Sequence, residues 1–563
     1  MKQSISLPYI EVGRAREFLI GSIIISIFCL ALIVRERLGI TNFFSVPIFR
    51  HLLIAHDYAG SLIAFAILAI AFLLRGTGPV LPVVRMLGRH PVIVAALAFV
   101  MFSAGSLLAY HNHPLSLDEY TPYLQSEAFA AGRLTGHFPL PLIEWLMPFP
   151  FRNNFLASSP ATGDVATFYM PGFALLLAPF TFMGIPWACN PTLGALSLLT
   201  LHRLAVTLTD SKEAGGWAML FALGSPAFSV NAMSYYSMTA HLLFNAGFTL
   251  LLLKPTVTRA LIAGLVGGFA LVLHNPFPHV VYAAPWIAWL LLRRDFRCLG
   301  ALMMGYLPIA LVLGAGWIWF TVGLQSTGRI QEAASAGTAV SGSAWTTWLS
   351  VVERTVRLPD ASIVQARIAG AVKLWVWAVP GLPLLAWFGF LASKEDVRYR
   401  LLLASAVITL LGYFFIPFDQ GHGWGYRYFH SAWGILPVLG AVAVIRNQDT
   451  EASGAVLVRI AGYAALGSLL FATALRVSQV DAFIDRHLSQ VPRPVGDHAQ
   501  VVFVNIRCGY YTVDLVQNHA RLQRKVLMMV SHGPERNAEM AQRLSPAARQ
   551  VAKEGCGELW LLE

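Results

Sequence analysis

Residues 91–120 read PVIVAALAFVMFSAGSLLAY-HNHPLSLDEY, a long apolar run followed by a polar stretch with two adjacent carboxylates. A run of this length is sufficient to cross the roughly 30 Å of hydrocarbon in a bilayer. Asp118 and Glu119 therefore follow closely on the end of a predicted membrane span. A carboxylate at a membrane edge loses hydration without structural gain unless it binds a cation, accepts a proton or pairs with a base. The stretch predicts a membrane protein with an active site at one membrane face.

The composition of the whole chain is that of a membrane protein. Of its 563 residues, 56% are hydrophobic and 12% are charged, whereas soluble domains average about 25% charged residues. A net charge of +11 would favour nucleic acid as the partner of a soluble protein, but here the basic residues cluster in short loops between apolar runs. That distribution is typical of a topology signal and of contact with anionic lipid. We therefore expect an integral membrane protein without a nucleic-acid partner.

Thirteen apolar runs predict a mainly α-helical, polytopic transmembrane bundle. They lie at residues 18–34, 52–74, 91–110, 191–208, 216–232, 237–253, 259–274, 277–293, 299–321, 371–392, 401–417, 430–446 and 456–476. No small-residue cleavage site follows the first run, which favours an uncleaved span over a removed signal peptide. Residues 173–187 form a further, proline-containing run, which we interpret as a helix lying at the membrane surface.

The basic residues predict the orientation of the bundle. With a cytoplasmic N-terminus and thirteen spans, most basic residues of the short loops lie in the cytoplasm, although Arg35, Arg37 and Arg50 do not. Counting 173–187 as a span would move the basic clusters at 293–297 and 394–400 outside. We therefore expect a transmembrane domain at 1–476, with outer-face loops at 111–190, 322–370 and 417–429. Residues 477–563 predict a small extracytoplasmic α/β domain, and the membrane expected for the protein is the bacterial inner membrane.

The five cysteines carry no metal-site pattern, because none of them is in a CxxC or Cys/His cluster with zinc spacing. Cys508 and Cys556 both lie in the polar C-terminal segment. If that segment is exported, the two residues can form a disulfide. Two unpaired thiols fit the sequence equally well.

Asp118 and Glu119 are the first candidate catalytic residues. One carboxylate would act as a general base and the other as an orienting group or metal ligand, so that both are candidate ligands of a divalent cation such as Mg²⁺ or Mn²⁺. The alternative is a structural role, since Ser116-Leu117-Asp118-Glu119 also fits the acidic first turn of a capped helix.

Tyrosines and histidines in the outer loops are candidate substrate-binding residues. Tyr120 begins an amphipathic segment, and Tyr169 precedes Met170-Pro171-Gly172. A tyrosine in this zone either anchors the chain at the interface or donates its hydroxyl to a phosphate. His274 and His279 bracket two prolines in a short turn between spans. Histidine can ligate a metal or donate to a phosphate oxygen, while a solvent-facing turn is the alternative.

A glycine-rich loop before a late span is the second strong element. Residues 419–428 read DQGHGWGYRY, with glycines at alternate positions that allow the backbone to approach a ligand closely. Its candidate substrate-binding residues are His422, Tyr426, Arg427 and Tyr428. Aromatic faces suit a sugar or an isoprenoid, and a guanidinium can hold a phosphate with two donors. The alternative for Arg427 is an interfacial arginine that reaches the lipid headgroups.

Together these motifs resemble the multi-spanning GT-C glycosyltransferases, above all the protein O-mannosyltransferases and the aminoarabinose transferases of lipid A. The likeness covers about residues 91–446. It rests on the outward Asp-Glu pair, on Ala-Gly-Arg-Leu (131–134), on the Tyr-x-Pro-Gly element, on Asn190-Pro191, on residues 225–228 and on Arg427-Tyr428.

The resemblance implies transfer of a sugar from a polyprenyl-phosphate carrier to a lipid, glycan or protein acceptor on the outer face of the membrane. It implies that Asp118 is the base or a metal ligand and that Arg427 binds the carrier phosphate. Inversion at the anomeric carbon is expected. The alternatives are an enzyme like the O-antigen ligases and polymerases, or a flippase for lipid-linked sugars. A flippase would need charge that lines a path between the two faces, and we expect His56, Asp57 and His241 to supply little of it.

Overall fold

The structure is a computed structural model that describes residues 13–41, 47–76, 78, 80–152, 154–325, 355–448 and 452–562. Most of the predicted outer loop 322–370 lies outside these residues, as does the start of the chain. The described chain is mainly helical. Its helices are α1 (Gly13–Arg37), α2 (Pro47–Leu52), α3 (Tyr58–Leu73), α4 (Val80–Arg89), α5 (Pro91–Leu108), α6 (Leu117–Ala130), α7 (Ile143–Leu146), α8 (Gly172–Phe182), α9 (Cys189–Thr209), α10 (Lys212–Leu223), α11 (Pro226–Asn231), α12 (Met238–Leu252), α13 (Val257–Leu271), α14 (Phe277–Leu292), α15 (Phe296–Ile309), α16 (Ala361–Val376), α17 (Leu382–Leu391), α18 (Val397–Gly412), α19 (Ile435–Gln448), α20 (Ala452–Gly467), α21 (Thr473–Leu488) and α22 (Pro534–Leu544).

Within the described residues, seven continuous helical stretches are long and apolar enough to cross a membrane. They are Ala15–Arg37, Pro47–Gly76, Pro91–Leu108, Pro186–Thr209, Phe296–Gln325, Val397–Phe415 and Gly454–Leu488. Each of them contains most or all of one predicted span. The last stretch continues past residue 476, the predicted domain boundary, so that the final apolar helix extends into the C-terminal segment.

The other six predicted spans are shorter or divided. Four correspond to α12, α13, α14 and α19. The run 216–232 is divided between α10 and α11, because Pro226 has no backbone N–H for a continuing helix and begins a new one. The run 371–392 is divided between α16 and α17 at Pro380-Gly381, where Gly381 has a φ of +83°. The additional run 173–187 contains α8, whose 11 residues span only about 16 Å.

Two small sheets accompany the helices. Their strands are β1 (Gly136–His137), β2 (Leu156–Ser158), β3 (Asp164–Thr167), β4 (Gln500–Val504), β5 (Val526–Val530), β6 (Arg549–Glu554) and β7 (Gly557–Leu561). The first sheet has the order β1-β3-β2 and is antiparallel. The second has the order β5-β4-β7-β6. Only its β4–β5 pair is parallel, and the connection between these two strands runs along the helical part of the protein.

The C-terminal α/β unit packs against α6 through buried polar contacts. The Tyr120 hydroxyl donates to the backbone oxygen of Asn518 (2.7 Å) and accepts from its backbone N–H (2.8 Å). The Glu127 carboxylate accepts from the Ala520 N–H and from Arg524, both at 2.8 Å. Cys508 and Cys556 form a disulfide within the unit. The hydrogen bonds of Tyr120 and Glu127 join the C-terminal unit to α6, the helix that carries Asp118.

Candidate active site

The site begins at the first turn of α6. Ser116, with extended backbone, precedes the helix, and its hydroxyl lies 3.0 Å from the Tyr236 hydroxyl. Asp118 and Glu119 follow in the first turn, where the partial positive charge of a helix N-terminus favours carboxylates. Because consecutive residues of a helix project about 100° apart, the two side chains enter different surroundings.

Asp118 points into a polar site and is bound from two sides. Its Oδ1 accepts from the Tyr169 hydroxyl (2.5 Å) and its Oδ2 accepts from Arg427 Nη2 (2.7 Å). Its side chain retains 24% exposure. Burial acts to raise the pKa of Asp118, but the positive charge of Arg427 and the hydrogen bonds from Arg427 and Tyr169 outweigh it and lower that pKa. Asp118 is therefore an ionised, accessible acceptor.

Glu119 points away from this site and is fully buried. Its carboxylate accepts from the Tyr110 hydroxyl (2.9 Å) and from the backbone N–H groups of Leu115 and Tyr235, both at 2.8 Å. Burial raises the pKa of Glu119 to about 8, and the three donors partly oppose that rise. The two carboxylates thus do not converge on one point. Across the described residues, no three His, Cys, Asp or Glu side chains are grouped to hold a metal ion. The arrangement does not fit a cation held jointly by Asp118 and Glu119.

The Arg427 side chain extends from the glycine-rich loop and contacts Tyr236 and Asp118. Its guanidinium lies 4.3 Å from the centroid of the Tyr236 ring and pairs with Asp118. The loop is fixed by Gln420, which accepts from the Arg427 backbone N–H (3.0 Å) and donates to the Gly425 oxygen (2.9 Å). The Arg427 side chain is only 7% exposed, and its Nε and Nη1 have no hydrogen-bond partner among the described residues. A buried guanidinium with free donors is suited to an anionic ligand.

Tyr169 and His274 complete this polar site. Their ring centroids lie 3.7 Å apart, and the Met170 N–H donates to the His274 backbone oxygen (3.0 Å). Burial raises the pKa of Tyr169 well above its usual value, and Asp118 adds to the rise, so Tyr169 stays a hydroxyl donor. Burial lowers the pKa of His274 to about 4. The imidazole is therefore neutral at pH 7, and its buried Nδ1 has no partner among the described residues.

A second set of bonds connects Glu119 to the glycine-rich loop. The Trp424 indole N–H donates to the Tyr110 hydroxyl (2.9 Å), which in turn donates to Glu119. The ring of Trp424 is buried. Glu119 thereby holds the backbone of the early loop and, through Tyr110, the loop that carries Arg427.

Five predicted substrate-binding residues are not hydrogen-bonded to Asp118 in the described part of the chain. Three of them, Tyr120, His279 and His422, have polar partners elsewhere. Tyr120 binds Asn518 in the C-terminal unit, as described above. His279 is in the first turn of α14, where its ring nitrogens lie 2.6 Å from Asn245 Oδ1 and 2.5 Å from the Tyr306 hydroxyl. His422 lies 3.3 Å from Asp514 of the C-terminal unit.

Tyr426 and Tyr428 are the remaining two. The Tyr428 hydroxyl donates to the Phe418 backbone oxygen (3.0 Å), and its ring stacks on Tyr413 with centroids 4.4 Å apart. Tyr426 packs so closely on Gly370 that a Cβ there would lie 2.3 Å from its ring. Its buried hydroxyl has no hydrogen-bond partner in the part of the chain that the structure describes.

Tyr235 and Tyr236 were not among the predicted site residues. Asn190 Nδ2 fixes their short turn by donating to the backbone oxygens of Ser234 (2.6 Å) and Tyr236 (2.8 Å). Their role could have been predicted from their position. They are two adjacent aromatic residues in the four-residue connection 233–236 between two predicted spans, and the predicted topology assigns this connection to the outer face.

Two comparisons based on sequence return no match: no family model fits the chain, and no curated protein matches it. Solved structures do match. The crystal structure of ArnT from Cupriavidus metallidurans bound to undecaprenyl phosphate aligns with a TM-score of 0.52 at 12% identity, covering 84% of this chain and 98% of that one. The apo structure of the same ArnT aligns with a TM-score of 0.50 at 12% identity, covering 84% and 97%.

The chain has the fold of ArnT. The GT-C fold predicted from the loop motifs is therefore confirmed, as is the mainly helical architecture with a small C-terminal sheet region. At 12% identity the likeness establishes the fold alone.

Proposed function

We propose that this protein is an integral membrane glycosyltransferase of the GT-C type. It would take a sugar from a polyprenyl-phosphate carrier and transfer it to a lipid, glycan or protein acceptor on the outer face of the bacterial inner membrane. The crystal structure of ArnT, which has the same fold, is bound to undecaprenyl phosphate. That fold supports a lipid-linked donor and a membrane location. The N-terminus would be cytoplasmic and the C-terminal unit extracytoplasmic.

The observation that carries the proposal is the state of Arg427. A buried guanidinium bound to one carboxylate through Nη2 retains Nε and Nη1 as unpartnered donors. Leaving buried charged donors unsatisfied is costly unless a ligand binds them. A phosphate accepts two parallel N–H bonds from a guanidinium, so the carrier phosphate is the ligand that this geometry favours.

Asp118 and Arg427 would have the two roles that an inverting substitution requires: a base for the acceptor and a cation for the leaving phosphate. Asp118 has further lone pairs beyond the two it uses for Tyr169 and Arg427. An acceptor O–H or N–H would donate to it, and the acceptor atom would attack the anomeric carbon as that proton moves to Asp118. The bond from the anomeric carbon to the phosphate oxygen breaks, and its electron pair stays on the phosphate. Arg427 stabilises that growing charge.

The other residues of the site position these two. Tyr169 orients Asp118 through its hydroxyl, and the neutral His274 packs against Tyr169 and would offer its Nδ1 to a sugar hydroxyl. Glu119 has a structural role, because it holds the Tyr110 side chain and the Tyr235 backbone in place. The low pKa of Asp118 makes it a weak base that releases its proton readily after the transfer.

Two substitutions test the proposal. Asp118→Asn keeps an oxygen for Tyr169 but cannot accept a proton, so we expect a loss of transfer of about 10²–10⁴-fold with retained binding of undecaprenyl phosphate. Arg427→Ala is expected to lose that binding. Binding is measured by the thermal shift of purified protein, and transfer by mass spectrometry of surface lipids and glycans in a complemented deletion strain. Normal transfer by Asp118→Asn, in protein that is expressed as the wild type, would refute the mechanism.

A further inference from the structure

A cavity of about 650 Å³ lies apart from the polar site. Its walls come from four parts of the chain: residues 111–114 after α5, Tyr123 of α6, the end of α21 with residues 491–494, and the C-terminal unit from 515 to 528. None of Asp118, Tyr169, His274 or Arg427 lines it. Its volume falls in the range of about 300–1,000 Å³ that is typical of small-molecule sites, which often lie between domains.

Two consecutive tyrosines separate this cavity from the polar site. The Tyr236 ring lies under the Arg427 guanidinium. The Tyr235 hydroxyl instead binds Asn112, a residue of the cavity wall, at 2.5 Å. Tyr235 also stacks edge-on against Tyr123 of the wall, with centroids 5.7 Å apart. The cavity is therefore one aromatic side chain away from the turn that holds Glu119 and Arg427.

The charges of the wall favour an anion. Arg493 and Arg524 line the cavity with one carboxylate, Asp485. Both guanidinium groups make their contacts through Nη2, Arg493 to Asp485 (3.0 Å) and Arg524 to Glu127 and the Tyr123 hydroxyl (both 2.8 Å). A guanidinium presents five donors in a planar fork that matches a carboxylate or a phosphate.

The remaining wall is suited to a sugar ring. Tyr123 offers an aromatic surface, and Asn112, His113 and Gln517 offer polar groups. The buried Nε2 of His113 has no partner among the described residues. Val526 and Met528 line the apolar side, because alternate residues of β5 face the same way, while Leu527 and Met529 pack into a different core cluster.

We infer that this cavity binds an anionic acceptor sugar, one that carries a carboxylate or a phosphate, and that the C-terminal unit supplies part of the acceptor site. The inference rests on the proposed glycosyltransferase function and names its acceptor class. The sugar belongs either to a glycolipid headgroup or to a longer glycan. A glycolipid headgroup can reach the cavity, because the membrane-spanning helix α5 ends at Leu108, three residues before the cavity wall begins at His111.

Charge reversal and filling of the cavity test the inference with matched controls. Arg493→Glu alters a side chain that is 76% exposed, so folding should persist. Arg521→Glu is its control on the same unit, outside the cavity. Val526→Trp fills the apolar side, and Val551→Trp on β6, 39% exposed, is its control. All four variants are expressed at native level in the deletion strain and purified as full-length protein.

We expect the two cavity variants to lower the modified product by about tenfold or more, which corresponds to the loss of one good contact, while undecaprenyl phosphate still binds as in the wild type. The two controls should retain full product. Mass spectrometry of the lipid fraction and of the glycan fraction separates the two sources of the sugar. Normal product from both cavity variants, or equal losses in the controls, would overturn the inference. Failure of the proposed function would be seen separately, as normal product from Asp118→Asn.

Discussion

Lys373 and Asp57, which are 316 positions apart, form an ion pair at 2.6 Å in which neither side chain is exposed by more than 1%. Arg476 Nη2 lies 3.1 Å from the same carboxylate, and the Trp377 indole N–H donates to it at 2.6 Å. Asp57 thus joins the helical stretches Pro47–Gly76 and Gly454–Leu488 to α16. A carboxylate shared by two buried cations balances charges that the surrounding apolar helices could not solvate.

We expect Asp57→Asn to destabilise the protein strongly, because two buried cations would lose their counter-charge. Removing one partner of a buried ion pair typically costs about 3–5 kcal/mol. Arg85→Ala is the control, since it breaks the more exposed Arg85–Glu213 pair (2.8 Å), which should contribute no more than about 1 kcal/mol. The measurement is thermal unfolding of both variants in detergent. Equal melting temperatures for Asp57→Asn and Arg85→Ala would contradict the expectation.

Glu119 should make stability depend on pH. Burial raises its pKa from 4.5 to about 8, so the folded protein keeps a proton that the unfolded chain has lost. Its contribution is complete below pH 4.5 and declines as the pH rises towards 8, by at most about 1.4 kcal/mol per pH unit. Glu119→Gln removes the titrating group. We expect the melting temperature of the wild type to fall between pH 5 and 8 more steeply than that of Glu119→Gln; parallel curves would show that Glu119 does not titrate in this range.

The pairing of Asp118 with Arg427 was accessible from the sequence, although they are 309 positions apart. Apolar runs and basic loops predict which loops share a membrane face, and both residues lie in such loops. The different orientations of Asp118 and Glu119 were not accessible. Adjacent residues at a helix start diverge, and only the packing of Tyr110 and Tyr235 determines which of the two carboxylates becomes buried.

The other differences have local physical reasons. His279 belongs to a turn that the sequence assigns to the outer surface, but it lies in the first turn of α14, which directs its ring towards Asn245 and Tyr306. The sequence gives no signal for strand β6, because Arg549–Glu554 is a mostly polar edge strand without an apolar alternation. The α/β domain was predicted because β4, β5 and β7 are apolar runs, and β4 and β7 form the buried centre of the sheet. The sequence left the pairing of Cys508 and Cys556 open, since only the fold brings these residues together.

The disulfide should stabilise the C-terminal unit. Cys508 and Cys556 are 48 residues apart, and closing a loop of that size in the unfolded chain is worth up to about 4 kcal/mol. We therefore expect a reductant to lower the unfolding temperature of the wild type. The double variant Cys508→Ser, Cys556→Ser should start from that lower temperature and not respond to the reductant. Because the other cysteines, Cys29, Cys189 and Cys298, are free and buried, a response of the double variant would point to a different cause.

Gly423 should be required for Arg427 to reach the carrier phosphate. Its φ is +124°, and a Cβ at this position would lie 2.1 Å from Arg427 Cδ, far inside van der Waals contact. Gly423→Ala would therefore displace the guanidinium from Asp118 and from Tyr236. We expect undecaprenyl phosphate to bind at least about tenfold more weakly, the equivalent of about 1.4 kcal/mol.

Gly421→Ala provides the matched control for Gly423→Ala. Gly421 also has a positive φ, +63°, but a Cβ at this position would have no described atom within 4 Å. Alanine at the left-handed φ of Gly421 costs about 1–2 kcal/mol. The φ of Gly423 is less favourable still for a residue with a Cβ, and only the change at Gly423 adds a collision with Arg427. Thermal shifts with undecaprenyl phosphate compare the two proteins directly. A loss of binding in both would indicate that loop conformation, and not the position of the Arg427 side chain, controls carrier recognition; a loss confined to Gly423→Ala assigns the phosphate contact to Arg427.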